Sequence, residues 1–177
     1  MAASPVLQGH GFILRPFGED LISPRYVGWL NDRQLMQYSR QRFLVHTPES
    51  CRAFAHSYQD SPHYFWGLMA ADPALGHIGN LTANVDVQNR VADLTILVGE
   101  AAAQGKGFGL AAWSLAMSWL LRPGGFRKVA AGTMAVNTPM IRIMQKSGMV
   151  EDGVRSRHFL FQEREVDCVM YGKFAAA

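Results

Sequence analysis

Six residues, Gln104-Gly105-Lys106-Gly107-Phe108-Gly109, stand between a β-rich run, Val91 to Gly99, and a long apolar stretch, Leu110 to Leu121. Strand, glycine loop, helix is the arrangement that presents free backbone N–H groups to a phosphate. The glycines let the chain turn tightly and leave no Cβ between backbone and ligand. A Rossmann loop would follow a first βαβ strand and be followed by an acidic residue about twenty positions on. Here the loop lies past mid-chain behind a hairpin, and the later region reads Leu121 to Arg127. A P-loop would need Gly-Lys-Ser/Thr after its first glycine, and none follows.

Asp93 is the second residue that carries chemistry. It lies in the run Val91 to Val98, which a four-residue loop, Val87 to Arg90, joins to His77 to Val85. Both runs alternate. Asn80, Thr82 and Asn84 share one face, and Leu81, Ala83 and Val85 the other. Asp93 and Thr95 share a face with Val91 and Leu97, while Ala92, Leu94, Ile96 and Val98 take the opposite one. Pairing Asn84 with Asp93 and Thr82 with Thr95 gathers the polar groups on one wet face and leaves the other dry. A slip of one residue would mix them. On such a face a carboxylate can take a proton from an ammonium, bind it as a counter-ion, or pair with a basic side chain of the protein. Near its ordinary pKa of about 3.9 an Asp is a weak base, and burial is what would raise it.

The elements that position these groups read along one domain, 1–177. Phe12 to Arg15 is a first strand, and Pro24 to Asp32 a helix carrying Tyr26, Val27, Trp29 and Leu30. Thr47-Pro48 supplies the N-cap and first position of a second helix ending near Gln59. His63 to Ala71 is strand-like, with a turn at Asp72-Pro73. The stretch Phe108 to Leu121 is apolar nearly all round, so it packs as a buried helix against a sheet, and Pro123-Gly124-Gly125 ends it. Lys128 to Thr133 is the next strand. Asn137-Thr138-Pro139 opens a helix to about Ser147, with Gly148 as its C-cap. Val154 to Phe161 and Val166 to Phe174 form a closing hairpin. The order predicts an α/β domain with a mixed sheet.

Composition narrows the function. With 49% hydrophobic residues over 177, the chain can fill a single core. No run of about 18 apolar residues is free of breaks, so no membrane helix is expected. Met1 to Gly11 lacks the basic-then-apolar pattern of a signal peptide. Cys51 and Cys168 form no CxxC and read as free cytosolic thiols. The six histidines show no metal spacing. A net charge of +3 and scattered basic residues support nucleic-acid binding only weakly, and suit a small anionic ligand as well.

These residues resemble the GNAT superfamily of N-acetyltransferases. Gln104 to Gly109 fits the family's Q/R-x-x-G-x-G/A loop. The strand Asp93 to Val98 lies directly before it, Asn137 opens the next helix at the end of a strand, and Lys146-Ser147-Gly148-Met149 stands in place of the family's K-x-G-F ending. The likeness covers roughly residues 75 to 150. Phrases such as GHIGNLTANVD and ADLTILVGE resemble the subgroup of ribosomal-protein alanine, spermidine and nucleotide-linked amino-sugar acetyltransferases.

The resemblance implies the acyl-CoA N-acyltransferase fold, with a mixed central sheet flanked by helices and acetyl-CoA as co-substrate without a metal. It implies that the strand before the loop splays from its neighbour, and that Ile96, Leu97 and Val98 lend backbone groups to the pantetheine. The N–H of Leu97 or Val98 would face the thioester oxygen. Gln104, Gly105, Lys106, Gly107, Phe108 and Gly109 would hold the pyrophosphate. Asn137 would bond the pantetheine arm, simple N-capping being its other reading. Asp93 aligns with an acidic position and is the candidate base. One departure stands out: where many members carry a general-acid Tyr, this chain has Met144. A thioether donates no proton, so Met144 is read as helix core or packing on the cofactor, with Tyr171 and Ser147 as substitute acids. Tyr38-Ser39-Arg40-Gln41-Arg42 and the stretch with Arg155, Arg157 and His158 are the candidate acceptor walls. The expected activity is direct acetyl transfer to a primary amine of a small molecule, such as a nucleotide-linked amino sugar, in the cytoplasm, with no nucleic-acid or membrane partner. N-terminal protein acetylation is the second reading, and a silent acyl-CoA-binding module the third. The resemblance admits a homodimer.

Overall fold

A computed structural model describes residues 4–176; residues 1–3, at the head of the stretch Met1 to Gly11, and residue 177 lie outside the described residues. The strands are β1 (Leu7–Gly9), β2 (Phe12–Pro16), β3 (Tyr64–Ala70), β4 (His77–Asp86), β5 (Val91–Val98), β6 (Lys128–Met134), β7 (Val150–Phe161) and β8 (Arg164–Phe174). The helices are α1 (Pro24–Asn31), α2 (Pro48–Gln59), α3 (Phe108–Leu121) and α4 (Thr138–Lys146). The strands form one mixed sheet in the order β1-β2-β3-β4-β5-β6-β8-β7. This is the mixed α/β architecture the element order predicts. Its buried centre joins Leu14, Trp66, Leu81, Ala92, Leu94 and Val129 to Ala112, Trp113, Ala116 and Leu120 of α3 and Met144 of α4. On the other face Tyr26 and Trp29 of α1 and Cys51 of α2 form a second, smaller cluster with Leu97.

Helix starts follow local chemistry. The Ser23 side chain accepts from Tyr26 N, with Pro24 first in α1. Thr47 and Ser50 exchange a capping box ahead of α2. Asn137 accepts from Met140 N at the head of α4. Gly148 follows α4 with φ +78°, a left-handed closure that suits glycine.

The β4–β5 register places Asn84 opposite Asp93 and Thr82 opposite Thr95, as the alternation requires. The expected wet face is wet only in part. Thr82 is buried, and Leu97 packs beneath α1 beside Tyr26 and Trp29. Two short amphipathic helices cover that end of the face, leaving Asn84, Asp93 and Thr95 exposed. Three further differences come from irregular pairing. β1 is a three-residue strand with no pattern of its own. β7 and β8 begin earlier than expected, at Val150 and Arg164. The β7 ladder shifts register between Glu151 and Gly153 and again between Arg155 and Phe159, so its alternation is lost.

β4 bulges at Ile78: Leu68 pairs with Gly79 and Met69 with His77. The Ile78 carbonyl accepts from both Gly99 N and Glu100 N. At the bulge the neighbouring strand comes so close that a Cβ on Gly79 would run into the Leu97 carbonyl oxygen. Gly79→Ala should therefore destabilise the fold by about 2–3 kcal/mol. Thermal unfolding should show the midpoint falling by roughly 4–12 °C.

His77, beside the bulge, is buried among Phe17, Tyr26 and Trp29. Its Nε2–H donates to the Gly79 carbonyl at 2.9 Å, and its Nδ1 has no partner among the described residues. Burial pushes its pKa down from 6.5 to about 4. The unfolded chain thus takes the proton more readily than the folded one. The neutral ring's contribution is complete above pH 6.5 and is lost as pH falls from 6.5 towards 4, to a total of about 3 kcal/mol. Thermal midpoints of the wild type should fall across that window, and His77→Phe should flatten the slope.

Candidate active site

β5 and β6 run parallel, but their ladder has only three pairs: Val91 with Lys128, Ala92 with Val129 and Asp93 with Ala130. Beyond Asp93 the strands part. β5 remains paired with β4 to Val98, and β6 with β8 to Met134. A wedge therefore opens from Asp93 towards the end of β5. Backbone groups alternate along a strand. Gly99 N donates to Ile78 O on the β4 side, which turns Leu97 to β4 and sends the N–H of Ile96 and Val98 into the wedge. Of the two expected donors to a thioester oxygen, the wedge edge thus presents Val98. The Val98 carbonyl accepts from Gln104 Nε2 at 3.1 Å, so Gln104 ties the loop to the strand end.

The glycine loop sits at the mouth of this wedge. Gly105 and Gly107 have φ +72° and +86°, and no atom would lie within 4 Å of a Cβ on either. Gly107 is the N-cap of α3 and contributes no side chain. The first turn of a helix leaves its N–H groups without intrahelical partners, here those of Phe108, Gly109 and Leu110. Lys106 is exposed beside them. The Phe108 ring turns inward, edge-on to Phe12, so its N–H and not its ring faces the loop. A Cβ on Gly109 would sit 3.4 Å from Ile143 Cδ1 and 3.5 Å from Val98 Cγ2, which places the head of α3 against both the end of β5 and α4. Open donors, positive helix end and absent Cβ atoms fit a pyrophosphate.

Asn137 is engaged on both sides of its amide. Oδ1 accepts from Met140 N at 3.3 Å, and Nδ2 donates to the buried Thr133 hydroxyl at 2.9 Å. Met144 is wholly enclosed in the core and offers no surface to a ligand. Tyr171 also belongs to the core on the helix-covered face, where its hydroxyl accepts from Gln145 Nε2. Ser147, at the far end of α4 from Asn137, donates its hydroxyl to the Met144 carbonyl at 2.8 Å. Neither substitute acid lies on the Asp93 face.

Asp93 is reached by solvent, yet the protein atoms gathered around it push its carboxyl above the usual carboxylate value, while the Arg155 guanidinium pulls the other way. Beside it Thr82 Oγ1 and Thr95 Oγ1 share a 2.5 Å hydrogen bond. Tyr58, from the last turn of α2, donates its hydroxyl to Asn84 Oδ1 at 3.0 Å. Tyr58 carries no motif, and only the packing of α2 on the sheet brings it here. The first expected acceptor wall, Tyr38 to Arg42, touches the end of β7 beyond Arg155, Arg157 and His158. Tyr38 stacks on Phe161, and Arg42 donates to the Leu160 carbonyl at 3.0 Å. No group of metal-ligating residues occurs among the described residues. No helix among them is long and apolar enough to cross a membrane.

The model of the acetyltransferase (GNAT) domain family matches residues 12–150. No curated protein sequence matches the chain. Among solved structures, a ribosomal alpha-N-protein acetyltransferase in complex with coenzyme A superimposes with a TM-score of 0.85 at 16% identity, covering 96% of this chain and 98% of that one. A spermidine N-acetyltransferase from Vibrio cholerae in complex with CoA and spermine gives 0.81 at 17% identity, covering 93% and 96%. A microcin self-immunity acetyltransferase in complex with acetyl-CoA and AMP gives 0.79 at 15% identity, covering 93% and 92%.

The Asn137 cap yields a prediction. Asn137→Ala removes the acceptor for Met140 N and strands the Thr133 hydroxyl, at a cost of about 1–2 kcal/mol. Asn137→Asp keeps the cap. Thermal unfolding should show a lowered midpoint for Ala and a recovered one for Asp.

Proposed function

We propose, from the premise that this chain belongs to the GNAT family of acetyltransferases, that it moves the acetyl group of acetyl-CoA directly to the primary amine of a small molecule such as a nucleotide-linked amino sugar. The observation that carries this reading is the wedge that opens at Asp93. Its floor is strand backbone, its mouth holds the open loop of α3, and its foot carries a carboxylate with a raised pKa.

On this reading the N–H groups of Gly105, Gly107, Phe108 and Gly109 bind the pyrophosphate, with Gln104 and Lys106 at the rim. The backbone of Ile96 and Val98 orients the pantetheine, and the Val98 N–H donates to the acyl oxygen as negative charge develops there. Asp93, directly or through a water, accepts the proton that an ammonium must lose before nitrogen attacks. The N–C bond forms, the C–S bond breaks, and the proton that the acylated nitrogen sheds passes through water to the thiolate. The domain spans 1–177, and the location proposed is cytoplasmic. A peptide acceptor is the second reading, favoured by the exposed apolar residues Phe43, Leu44, Val45 and Leu160 beside the Tyr38–Phe161 contact.

Thiol release from acetyl-CoA, run with nucleotide amino sugars, polyamines and alanine- or serine-ended peptides, decides between the two. Turnover confined to small amines is expected, and turnover confined to peptides would reverse the order. Asp93→Asn should lower kcat by about 10²-fold. In the wild type the rate should rise as pH climbs through the elevated Asp93 value, because only the ionised carboxylate accepts a proton. That acidic limb should vanish in Asp93→Asn.

A further inference from the structure

Two opposite charges share the open face of the sheet without touching. Asp93 is one and Arg155 the other. Arg155 of β7 lies opposite Cys168 of β8, which lies opposite Met134 of β6. The Cys168 thiol and the Met170 thioether both approach Gly132: a Cβ there would lie 3.4 Å from Cys168 Sγ and 2.6 Å from Met170 Sδ. Gly132 is exposed and has no side chain, so the ground between β5 and β8 is low and lined with sulfur. The Cys168 thiol feels both the Arg155 guanidinium and the Asp93 carboxylate.

Among the described residues Asp93 and Arg155 form no salt bridge and no side-chain hydrogen bond. Three other basic side chains are already engaged: Arg157 with Glu165, Lys128 with Asp152, and Arg42 with the Ser39 and Leu160 carbonyls. A guanidinium with its whole donor fork open is a bidentate site for carboxylate or phosphate. Its counterpart across the low floor is a carboxylate open to an ammonium.

We propose that the acceptor carries an anionic group, a carboxylate or a phosphate, a few bonds from its amine, and that Arg155 binds that group and so determines which amines are acetylated. The inference rests on the acetyl-transfer reading and narrows its substrate class. It sets aside polyamines and peptide N-termini with no nearby anion.

The test is thiol release from acetyl-CoA with matched pairs: glucosamine 6-phosphate against glucosamine, and alanine against alaninamide. The wild type should prefer the anionic member of at least one pair by tenfold or more, and the pair that responds tells phosphate from carboxylate. Measured at a pH above the acidic limb, Arg155→Gln should raise KM for that member by about 10- to 100-fold and change the neutral member far less, while the limb itself moves up for both because the Arg155 charge no longer lowers the Asp93 pKa. Arg155→Lys should recover part of the loss, because it keeps the charge without the fork. Turnover without preference for the anion overturns the inference and leaves the family reading intact. So does a preference that survives in Arg155→Gln. An equal change for all acceptors, with a shifted pH profile, would mean that Arg155 only tunes Asp93, and overturns it too. Silence with both pairs while calorimetry shows acetyl-CoA bound sinks the substrate class alone. Silence with no acetyl-CoA binding sinks acetyl transfer itself.

Discussion

The parallel seam between β5 and β6 is the constraint on which the rest of the molecule depends. Each strand is committed along its outer edge, β5 to β4 and β6 to β8. Only their shared edge is free to open, and it opens after three pairs. Opening has a cost, since an unpaired backbone donor or acceptor forgoes about 1–3 kcal/mol when it is buried dry. The protein offsets part of that cost itself, with Gln104 reaching back to the Val98 carbonyl. The remaining donors are left for water or a ligand. α3 connects the two strands and packs on both, so its head arrives at the open end of the wedge by connectivity alone. Strand edge and helix terminus, the two sources of unspent backbone N–H groups, thus end up side by side.

The opposite face does a different task. α1 and α2 cover the sheet at the Leu97 end and stop short of Asp93, so one face serves as core at one end and as site at the other. The bulge at Ile78 matters to this division. It lets β4 bend, brings the Leu97 carbonyl onto Gly79, and seats His77 under α1. Arg25 pins the arrangement from outside, donating to the His77 carbonyl at 2.6 Å and meeting Glu100 at 3.3 Å. The groups that hold α1 down are therefore distinct from those around Asp93. Covering the sheet and leaving Asp93 open do not compete for the same residues.

Much of this was legible in the chain because the signals are local. The alternation Asn80, Thr82, Asn84 against Asp93, Thr95 admits one register that keeps its faces separate, and that register is the one found. The starts of α2 and α4 are written in Thr47-Pro48 and Asn137-Thr138-Pro139, because a cap needs only its own next three residues. What was not legible is set by distant partners. The length of the β5–β6 ladder has no sequence pattern, since side-chain alternation reports which face a residue takes and not whether the backbone edge is paired. The covering of Thr82 depends on where two short helices dock. Tyr58 reaches Asn84, and Tyr38 reaches Phe161, through folding alone. The faces of Tyr171 and Ser147 were likewise invisible: each carries a usable hydroxyl by type, and each is engaged away from Asp93 by its place.

In the proposed reaction the two proton transfers, one from the ammonium and one to the thiolate, make unequal demands, and Met144 where the resemblance expects a tyrosine is compatible with them. An alkyl ammonium holds its proton near pKa 10, whereas a thiol is acidic near 8.5, so the amine needs help at neutral pH far more than the thiolate does. A carboxylate whose pKa is raised by its surroundings is a better match to the first task, and water is adequate for the second. On that reading the acid is dispensable and position 144 is left to packing. A flexible thioether fills the space between α4 and the sheet without a buried hydroxyl to satisfy. On the same reading the proposed proton chemistry lies on the Asp93 side, where solvent reaches, and the face under α3 and α4 is the dry core.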